Sequence, residues 1–113
     1  MSWEYIGGHG NDLQEHATTS TNTNVNPWYG VFSSSLETMG YKIDPQVFPA
    51  ATDSRFLRAL GIRALGFSPM RNTEILLHEN DEYIPESTFL EGIGVYVGVI
   101  KALASQGSDM DPK

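Results

Sequence analysis

The sequence predicts an α/β fold, with a partial sheet of parallel type flanked by helices. Helical and strand-like segments alternate between residues 26 and 105, which is the order that parallel sheets produce. The strand-like segments are short and apolar, as at residues 62–67, which is typical of strands covered on both faces. Two or three such strands leave at least one sheet edge open. We therefore expect part of an α/β domain rather than a whole one.

The first helix is predicted to start at Asn26 and Pro27, since Asn is a good N-cap and Pro suits the first helical position. Gly40 provides its C-terminal stop. Residues 41–49 follow as a strand, in which Pro45 argues against a central position. The helix should bury one apolar face, formed by Trp28, Phe32, Leu36 and Met39.

Asp53 is predicted to cap a second helix that ends at Gly61, followed by the strand at residues 62–67. Residues 75–78 are either a third short strand or an extended approach to a site. The last helix is expected from about residue 85 to residue 105. Its apolar stripe consists of Phe89, Ile93, Tyr96, Val97, Ile100, Leu103 and Ala104.

Three regions follow from this order of elements. Residues 1–25 contain three glycines and a polar run at 17–24, so we expect a mobile leader or linker. Residues 26–105 form the folded portion, and residues 106–113 are expected to be a disordered tail. With 113 residues in all, the chain holds one domain at most.

Composition excludes several classes of function. The net charge of −7 disfavours general binding to nucleic acids or anionic membranes, which need clustered Lys and Arg. The chain has no cysteine, hence no disulfide, thiolate ligand or cysteine nucleophile. We expect no membrane span, because no apolar run reaches about 18 residues. The N-terminus does not resemble a secretory signal, and the expected location is the cytoplasm.

His78 is the first candidate for chemistry, because neutral imidazole is the commonest metal ligand in proteins. Asp81 and Glu82 are candidates for accepting a hydrogen bond from the second ring nitrogen, which would fix the tautomer of the imidazole. The alternative is a partly exposed histidine in an acidic loop. His78 to Glu82 is not a zinc-binding H-E-x-x-H helix, since Glu82 stands where the second histidine should be.

Thr52, Asp53 and Arg55 form a second candidate group. Two hydroxyls, from Thr52 and Ser54, flank a predicted helix start, and the guanidinium of Arg55 suits a carboxylate ligand. The alternative is an ordinary helix start with a solvated arginine. The acidic cluster between residues 74 and 91, which also includes Glu74, Glu79, Glu86 and Glu91, is expected to be a solvated face rather than a site. Glu86 and Glu91 are expected to favour the start of the last helix.

Three motifs, in order, carry a resemblance to a known family: residues 49–55 (PAATDSR), residues 64–70 (ALGFSPM), and residues 76–78 (LLH) with Asp81 and Glu82. From residue 26 to residue 105 the chain resembles the C-terminal part of aminoacylases. These belong to the dinuclear-zinc amidohydrolases and exopeptidases that include acetylornithine deacetylase and succinyl-diaminopimelate desuccinylase. The resemblance implies a zinc-exopeptidase-like catalytic domain.

The same resemblance implies roles for particular residues. His78 stands where the family has its last zinc ligand, and Arg55 matches the arginine that contacts the substrate carboxylate, with Thr52 and Asp53 on the same wall. It implies two zinc ions, N-acyl-L-amino acid substrates and a homodimer for the complete enzyme. The family's other ligands, its bridging Asp and its general-base Glu have no counterpart in this chain, so no catalytic residue is expected here.

Two hypotheses follow. In the first, the chain is a portion of an aminoacylase-type hydrolase, supplies one zinc ligand and part of the substrate wall, and acts only with the N-terminal half of the enzyme. In the second, it is a truncated, non-enzymatic relative that binds a partner.

Overall fold

The computed structural model describes residues 18–47 and 51–110. These residues contain three α-helices and a short 3-10 helix: α1 (Pro27–Thr38), α2 (Ser54–Ala59), α3 (Glu86–Ala104) and the 3-10 helix Ser108–Met110. The chain divides into two compact units. In the described ranges the first unit comprises residues 18–19, 47 and 51–65, and the second comprises residues 20–46 and 66–110.

Helix α1 begins and ends where local signals predict. Pro27 occupies its first turn, and Gly40 follows the end with a φ of +87°, a left-handed value that glycine adopts without strain. The amide of Tyr41 donates to the carbonyl of Leu36, and that of Gly40 to the carbonyl of Glu37, both at 2.9 Å. This pair of bonds is a Schellman motif, so the predicted stop at Gly40 is confirmed.

Asn26 precedes α1, as predicted, but its side chain does not cap the helix. Nδ2 instead donates to the carbonyl of Ser20 at 2.9 Å, in a turn where Asn22 Oδ1 accepts from the amide of Asn24. Asn26 is only 2% exposed, and its Oδ1 has no hydrogen-bond partner. The polar run before α1 therefore forms hydrogen-bonded turns in its described part. The predicted mobility of residues 1–25 stays a prediction, and residues 1–17 lie outside the described residues.

Helix α2 belongs to the first unit and ends as the sequence predicts. The amide of Ile62 donates to the carbonyl of Leu57, and that of Gly61 to the carbonyl of Arg58, with Gly61 at a φ of +77°. This is a second Schellman motif. At its other end Asp53 has a helical φ of −60° and makes no side-chain capping bond, so the predicted cap is wrong. The apolar side chains of the helix are exposed, namely Phe56, Leu57 and Leu60.

The core of the second unit lies between α1 and α3. Leu36 of α1 packs with Val95 and Val99 of α3, and all three are buried. Phe32 contacts Phe67 edge-on, with ring centroids 5.1 Å apart, and Phe67 contacts Tyr96 in the same manner at 5.6 Å. The predicted face of α1 is therefore the one that packs. Around this centre lie further half-buried side chains: Met39, Tyr41, Ile43 and Leu103.

Helix α3 turns a different face to this core than its apolar stripe predicts. The buried positions are Gly92, Val95 and Val99. Gly92 sits where an added Cβ would meet the ring of Pro69 at 3.2 Å, so the chain approaches α3 closely there. Most of the predicted stripe is exposed, namely Phe89, Ile93, Tyr96, Val97 and Ile100. Of that stripe, Leu103 and Tyr96 contact the core, whereas the others are not packed on it by the described residues.

The three predicted strands, at residues 41–49, 62–67 and 75–78, are absent from the part of the chain that the structure describes. Residues 41–47, 62–71 and 73–76 are irregular, while 48–50 are outside the described residues. A strand exists only when a neighbour pairs with its amides and carbonyls, and apolar composition cannot supply that neighbour. The predicted partial sheet is therefore unconfirmed in the residues that the structure describes.

Helix α3 also bears on the expectation that the chain has no membrane span. An 18-residue window of this 19-residue helix has a mean hydropathy of 1.3, so the helix is long and apolar enough to cross a membrane by length and composition alone. The core helix of a soluble protein meets the same criteria, and Glu86 at the start and Lys101 near the end of α3 bracket the apolar part. This finding is weak support for a membrane-spanning role.

Candidate metal and substrate site

His78 occupies a strained position in a pair of consecutive turns. The amide of Glu79 donates to the carbonyl of Leu76 at 3.1 Å, and the amide of Glu82 donates to the carbonyl of Glu79 at 3.3 Å. His78 is the third residue of the first turn and has a φ of +65°. A positive φ at this position defines type II turns and normally favours glycine or asparagine. Backbone outliers of this kind cluster at functional sites, which keeps His78 a candidate residue.

The imidazole of His78 is exposed, and within residues 18–47 and 51–110 it forms neither a hydrogen bond nor an ion pair. Asp81 and Glu82 are exposed in the adjoining turn and do not bond to it. No group of three or more His, Asp or Glu side chains that could hold a metal ion occurs among the described residues. That the two carboxylates orient the ring through its second nitrogen stays a prediction.

The predicted substrate group lies in the first unit, at the start of α2. The carbonyl of Thr52 accepts from the amide of Arg55, and that of Asp53 from the amide of Phe56, both at 3.1 Å. The hydroxyls of Thr52 and Ser54 are in contact. Both hydroxyls and the Asp53 carboxylate therefore gather at the beginning of the helix, although α2 has only six residues.

Arginines on α2 have two different roles. The guanidinium of Arg58 donates to Ser54 Oγ at 3.0 Å and to the carbonyl of Ala64 at 3.1 Å, which ties the helix to the segment after it. Ala64 is also held by Thr19, whose hydroxyl donates to its carbonyl at 2.8 Å. Arg55 is exposed, and its guanidinium stacks over the ring of Phe56 at 4.7 Å. Stacking on Phe56 covers one face of the Arg55 guanidinium and leaves the N–H groups along its edge able to donate to a carboxylate.

Glu91 of α3 has a role that its sequence pattern did not reveal. Its Oε1 accepts a hydrogen bond from the hydroxyl of Tyr41 at 2.7 Å and one from Arg71 Nη2 at 2.6 Å. Arg71 also lies over the ring of Tyr41, 5.6 Å from its centroid. The three side chains join the segment after α1, the segment before the His78 turn, and α3. The expectation that Glu91 is merely solvated is wrong, because proximity in the fold decides its partners.

These contacts shift the pKa values of all three groups. The hydrogen bond from Arg71, and secondly that from Tyr41, lowers the pKa of Glu91. The bond to Glu91 raises the pKa of Tyr41 and that of Arg71. The network is therefore held in its charged form, with Glu91 ionised and Arg71 protonated.

The residues present fit a metal site only in part. Zinc in proteins takes three or four protein ligands, and the described residues offer His78 in a turn with an exposed ring. The exposed, unbonded imidazole suits one ligand position. The rest of a zinc site would have to come from polypeptide outside the described ranges of this chain.

Comparison with known proteins gives the family. Residues 11–102 match the family described as peptidase family M20/M25/M40, including part of the segment predicted as a leader. Aminoacylase-1 of Mus musculus is 51% identical over 79 residues, covering 70% of this chain and 19% of that protein. Aminoacylase-1 of Homo sapiens is 40% identical over 110 residues, which cover 93% of this chain and 27% of that protein.

A more distant organism gives the same result. Aminoacylase-1 of Dictyostelium discoideum is 46% identical over 80 residues, covering 71% of this chain and 20% of that protein. The chain thus spans 19% to 27% of the length of these curated relatives. The family implies an α/β domain of the zinc-exopeptidase kind, although no described residue lies in a strand. Because the match extends over most of its sequence, the chain belongs to peptidase family M20/M25/M40.

Proposed function

We propose that this chain provides a portion of a zinc-dependent N-acyl-L-amino-acid amidohydrolase. The reaction would hydrolyse an N-acyl amino acid to a free amino acid and a carboxylate. The observation that supports it most is the 51% identity to a mouse aminoacylase-1 over 79 residues. The family match over residues 11–102 also contains all three motifs between Pro49 and Glu82. The cytoplasm is the proposed location.

In this proposal His78 binds one of two zinc ions through its imidazole. Zinc supplies Lewis-acid chemistry and lowers the pKa of a bound water when the site is complete. The exposed ring and the left-handed backbone of His78 are consistent with a side chain aimed by its turn. Asp81 and Glu82 would orient the ring from the neighbouring turn.

Arg55 would bind the substrate carboxylate through its planar fork, with Thr52 and Asp53 forming the wall beside it. The stacking of Arg55 on Phe56 supports this role, because it limits the directions in which the guanidinium points. No proton-transfer step is assigned to the described residues. The catalytic base and the remaining ligands would belong to the N-terminal half of the enzyme, so the isolated chain should be inactive.

The test combines this chain with the N-terminal half of a related aminoacylase and measures bound zinc and the hydrolysis of N-acetylmethionine. We expect zinc and turnover in the combination and neither in this chain alone. His78→Ala should remove zinc from the combination, whereas Asn80→Ala, a matched change in the next turn, should leave zinc bound. Zinc retained at full stoichiometry in His78→Ala would overturn the ligand assignment.

A second set of variants tests the substrate wall. Arg55→Ala should raise KM for N-acetylmethionine about tenfold or more, since it removes a charge-assisted contact to the carboxylate. Arg55→Lys keeps the charge and loses the fork, so it should recover only part of the affinity. An unchanged KM in Arg55→Ala would refute this role. Association without zinc or turnover would favour the alternative, a non-enzymatic relative that binds a partner.

A further inference from the structure

Helix α3 is apolar on two sides, and residues 18–47 and 51–110 cover one of them. Val95 and Val99 pack with Leu36 of α1, Gly92 lies against Pro69, and all three α3 residues are buried. A second set of large side chains on α3 is exposed to solvent. This set, the outer face of α3, consists of Phe89, Leu90, Ile93, Val97 and Ile100. Tyr96 lies at its margin, where its ring packs on Phe67 and its hydroxyl donates to the carbonyl of Phe67 at 2.8 Å.

The outer face is a continuous stripe. With about 3.6 residues per turn, its five positions fall within about 100° of arc. Apolar stripes of about 100° or more are what helices turn toward a core. Ile93 is 49% exposed and Val97 61% exposed, so the middle of the stripe is open. Scattered exposed apolar residues are ordinary, but a stripe along three turns of one helix indicates a missing neighbour.

The chemistry of the outer face describes that neighbour. It contains no charged residue, and its side chains are large, with the small residues Gly94 and Gly98 lying off it. Helix pairs that approach closely use small residues, whereas large aliphatic and aromatic residues suit packing on a broad apolar surface. The chain spans at most 27% of the relatives cited above, so most of such a domain lies outside the matched region.

We propose that the outer face of α3 is the docking surface for the remainder of an M20-type catalytic domain, the portion that the relatives have and this chain does not span. The occupant is a protein surface of matching apolar character. This inference rests on the proposed function, to which it adds the place of assembly. It also explains why most of the apolar stripe predicted for this helix is exposed in the described residues.

A lipid bilayer would be the other apolar environment for α3, and the second unit argues against it. Glu91 on α3 is bound to Arg71 and Tyr41, and the opposite side of α3 holds α1 through Leu36. Inserting the helix would either carry this charged pair into hydrocarbon or strip both contacts away. Pairing of two outer faces from separate copies is opposed by the net charge of −7 on each.

The absence of native cysteine provides a direct test. Ile93→Cys and Val97→Cys place single thiols on the outer face, and Ser87→Cys places an exposed control on another side of α3. Each variant is labelled with a water-soluble maleimide, alone and co-purified with the rest of the mouse aminoacylase-1. We expect labelling at 93 and 97 to slow about tenfold or more in the complex, and labelling at 87 to change less than about twofold.

Three results would overturn the inference: no co-purification, equal labelling at 93 with and without the partner, or protection by phosphatidylcholine vesicles but not by the partner. Concentration-dependent protection of this chain alone would assign the face to self-association instead. Protection in a complex that lacks zinc and turnover would leave the docking surface standing and refute the proposed function. Turnover in a complex in which position 93 is still fully labelled would support the proposed function and refute the docking surface.

Charge variants provide an independent check that does not depend on labelling. Val97→Asp places a carboxylate at the centre of the outer face, and Ser87→Asp adds the same charge elsewhere on the helix. We expect Val97→Asp to weaken co-purification about tenfold or more and Ser87→Asp to leave it unchanged. Because position 97 is exposed, far-UV circular dichroism of the isolated chain should be the same for both variants.

Discussion

The hydroxyl of Tyr41 donates a 2.7 Å hydrogen bond to Glu91, fifty residues further along the chain. The same carboxylate oxygen accepts from Arg71 at 2.6 Å, so one side chain of α3 holds two segments that no regular ladder restrains. Arg71 begins the stretch that leads to His78. The network therefore sets where that stretch starts, at the surface of the second unit.

Stability should depend on pH through Glu91. Its pKa is lowered in the folded state, so its contribution is complete above the ordinary pKa of 4.5 and is lost as pH falls through the folded value. We expect Glu91→Gln to be less stable than the parent near neutral pH, with the difference shrinking as pH falls below 4.5. Urea unfolding at several pH values measures this. A gap that is independent of pH would contradict the assignment.

Tyr41→Phe is the companion variant, with the opposite dependence. The pKa of Tyr41 is raised above 10.0 by its bond to Glu91, so its contribution is present below that value and lost as pH rises through the folded pKa. Between about pH 5 and pH 9 the loss of stability in Tyr41→Phe should therefore be constant. Urea unfolding at the two ends of this range checks it, and a loss that changes within the range would count against it.

The two helix stops should be intolerant of a side chain. Gly40 has a φ of +87°, where a Cβ meets no neighbouring atom but the backbone itself is unfavourable. Gly40→Ala should therefore cost about 1–2 kcal/mol of unfolding free energy. Gly66→Ala, a control with open space and no positive φ, should change stability by less than about 0.5 kcal/mol. Equal effects of the two changes would show that backbone conformation is not the cause.

Two glycines of α3 should respond differently to alanine. At Gly94 an added Cβ meets open space, so Gly94→Ala should stabilise the helix by about 0.5–1 kcal/mol. At Gly98 the added carbon would lie 2.9 Å from Met39 Cε and closer still to its sulfur, so Met39 must move. Gly98→Ala should gain less or destabilise, and Met39→Ala should remove the difference in a double-mutant cycle. Thermal unfolding monitored by circular dichroism measures both.

Replacing His78 by glycine should not harm the fold. Glycine relieves the left-handed backbone at φ +65° while adding disorder to the unfolded chain, and the exposed ring has no described partner whose loss would cost stability. We expect the unfolding free energy to stay within about 1 kcal/mol of the parent or to rise. A larger loss in urea unfolding would show that the ring supports the fold and weaken the case for a ligand.

Helices were predictable here and strands were not, for a physical reason. Pro27 and Gly40 specify α1 through bonds within a few residues, and Gly61 ends α2 in the same way. A strand at residues 62–67 depends on a neighbouring strand, which its own sequence cannot specify. For α3 the stripe correctly indicated an apolar face but could not say which surface covers it.

In the candidate site, too, the sequence indicated some residues and could not indicate the features that depend on the fold. Motif order brought His78 and Arg55 to attention, yet the strained turn at His78 had no signal in its sequence, since Asn or Gly would be the ordinary choice. The roles predicted for Thr52, Asp53, Arg55, His78, Asp81 and Glu82 remain predictions. Glu91 could not be distinguished from other acidic residues, because its partners lie 20 and 50 residues away in sequence.

The Schellman motifs at Gly40 and Gly61 make the lengths of α1 and α2 properties of the chain itself. If further polypeptide assembles with this chain, α1 and α2 already have their final lengths, so their residues lose no further conformational entropy on assembly. The entropic penalty of assembly falls instead on irregular residues such as 62–71 and 73–76, where each ordered residue costs about 1–2 kcal/mol. Substitutions that stiffen those stretches should change the affinity of assembly while leaving the helices untouched.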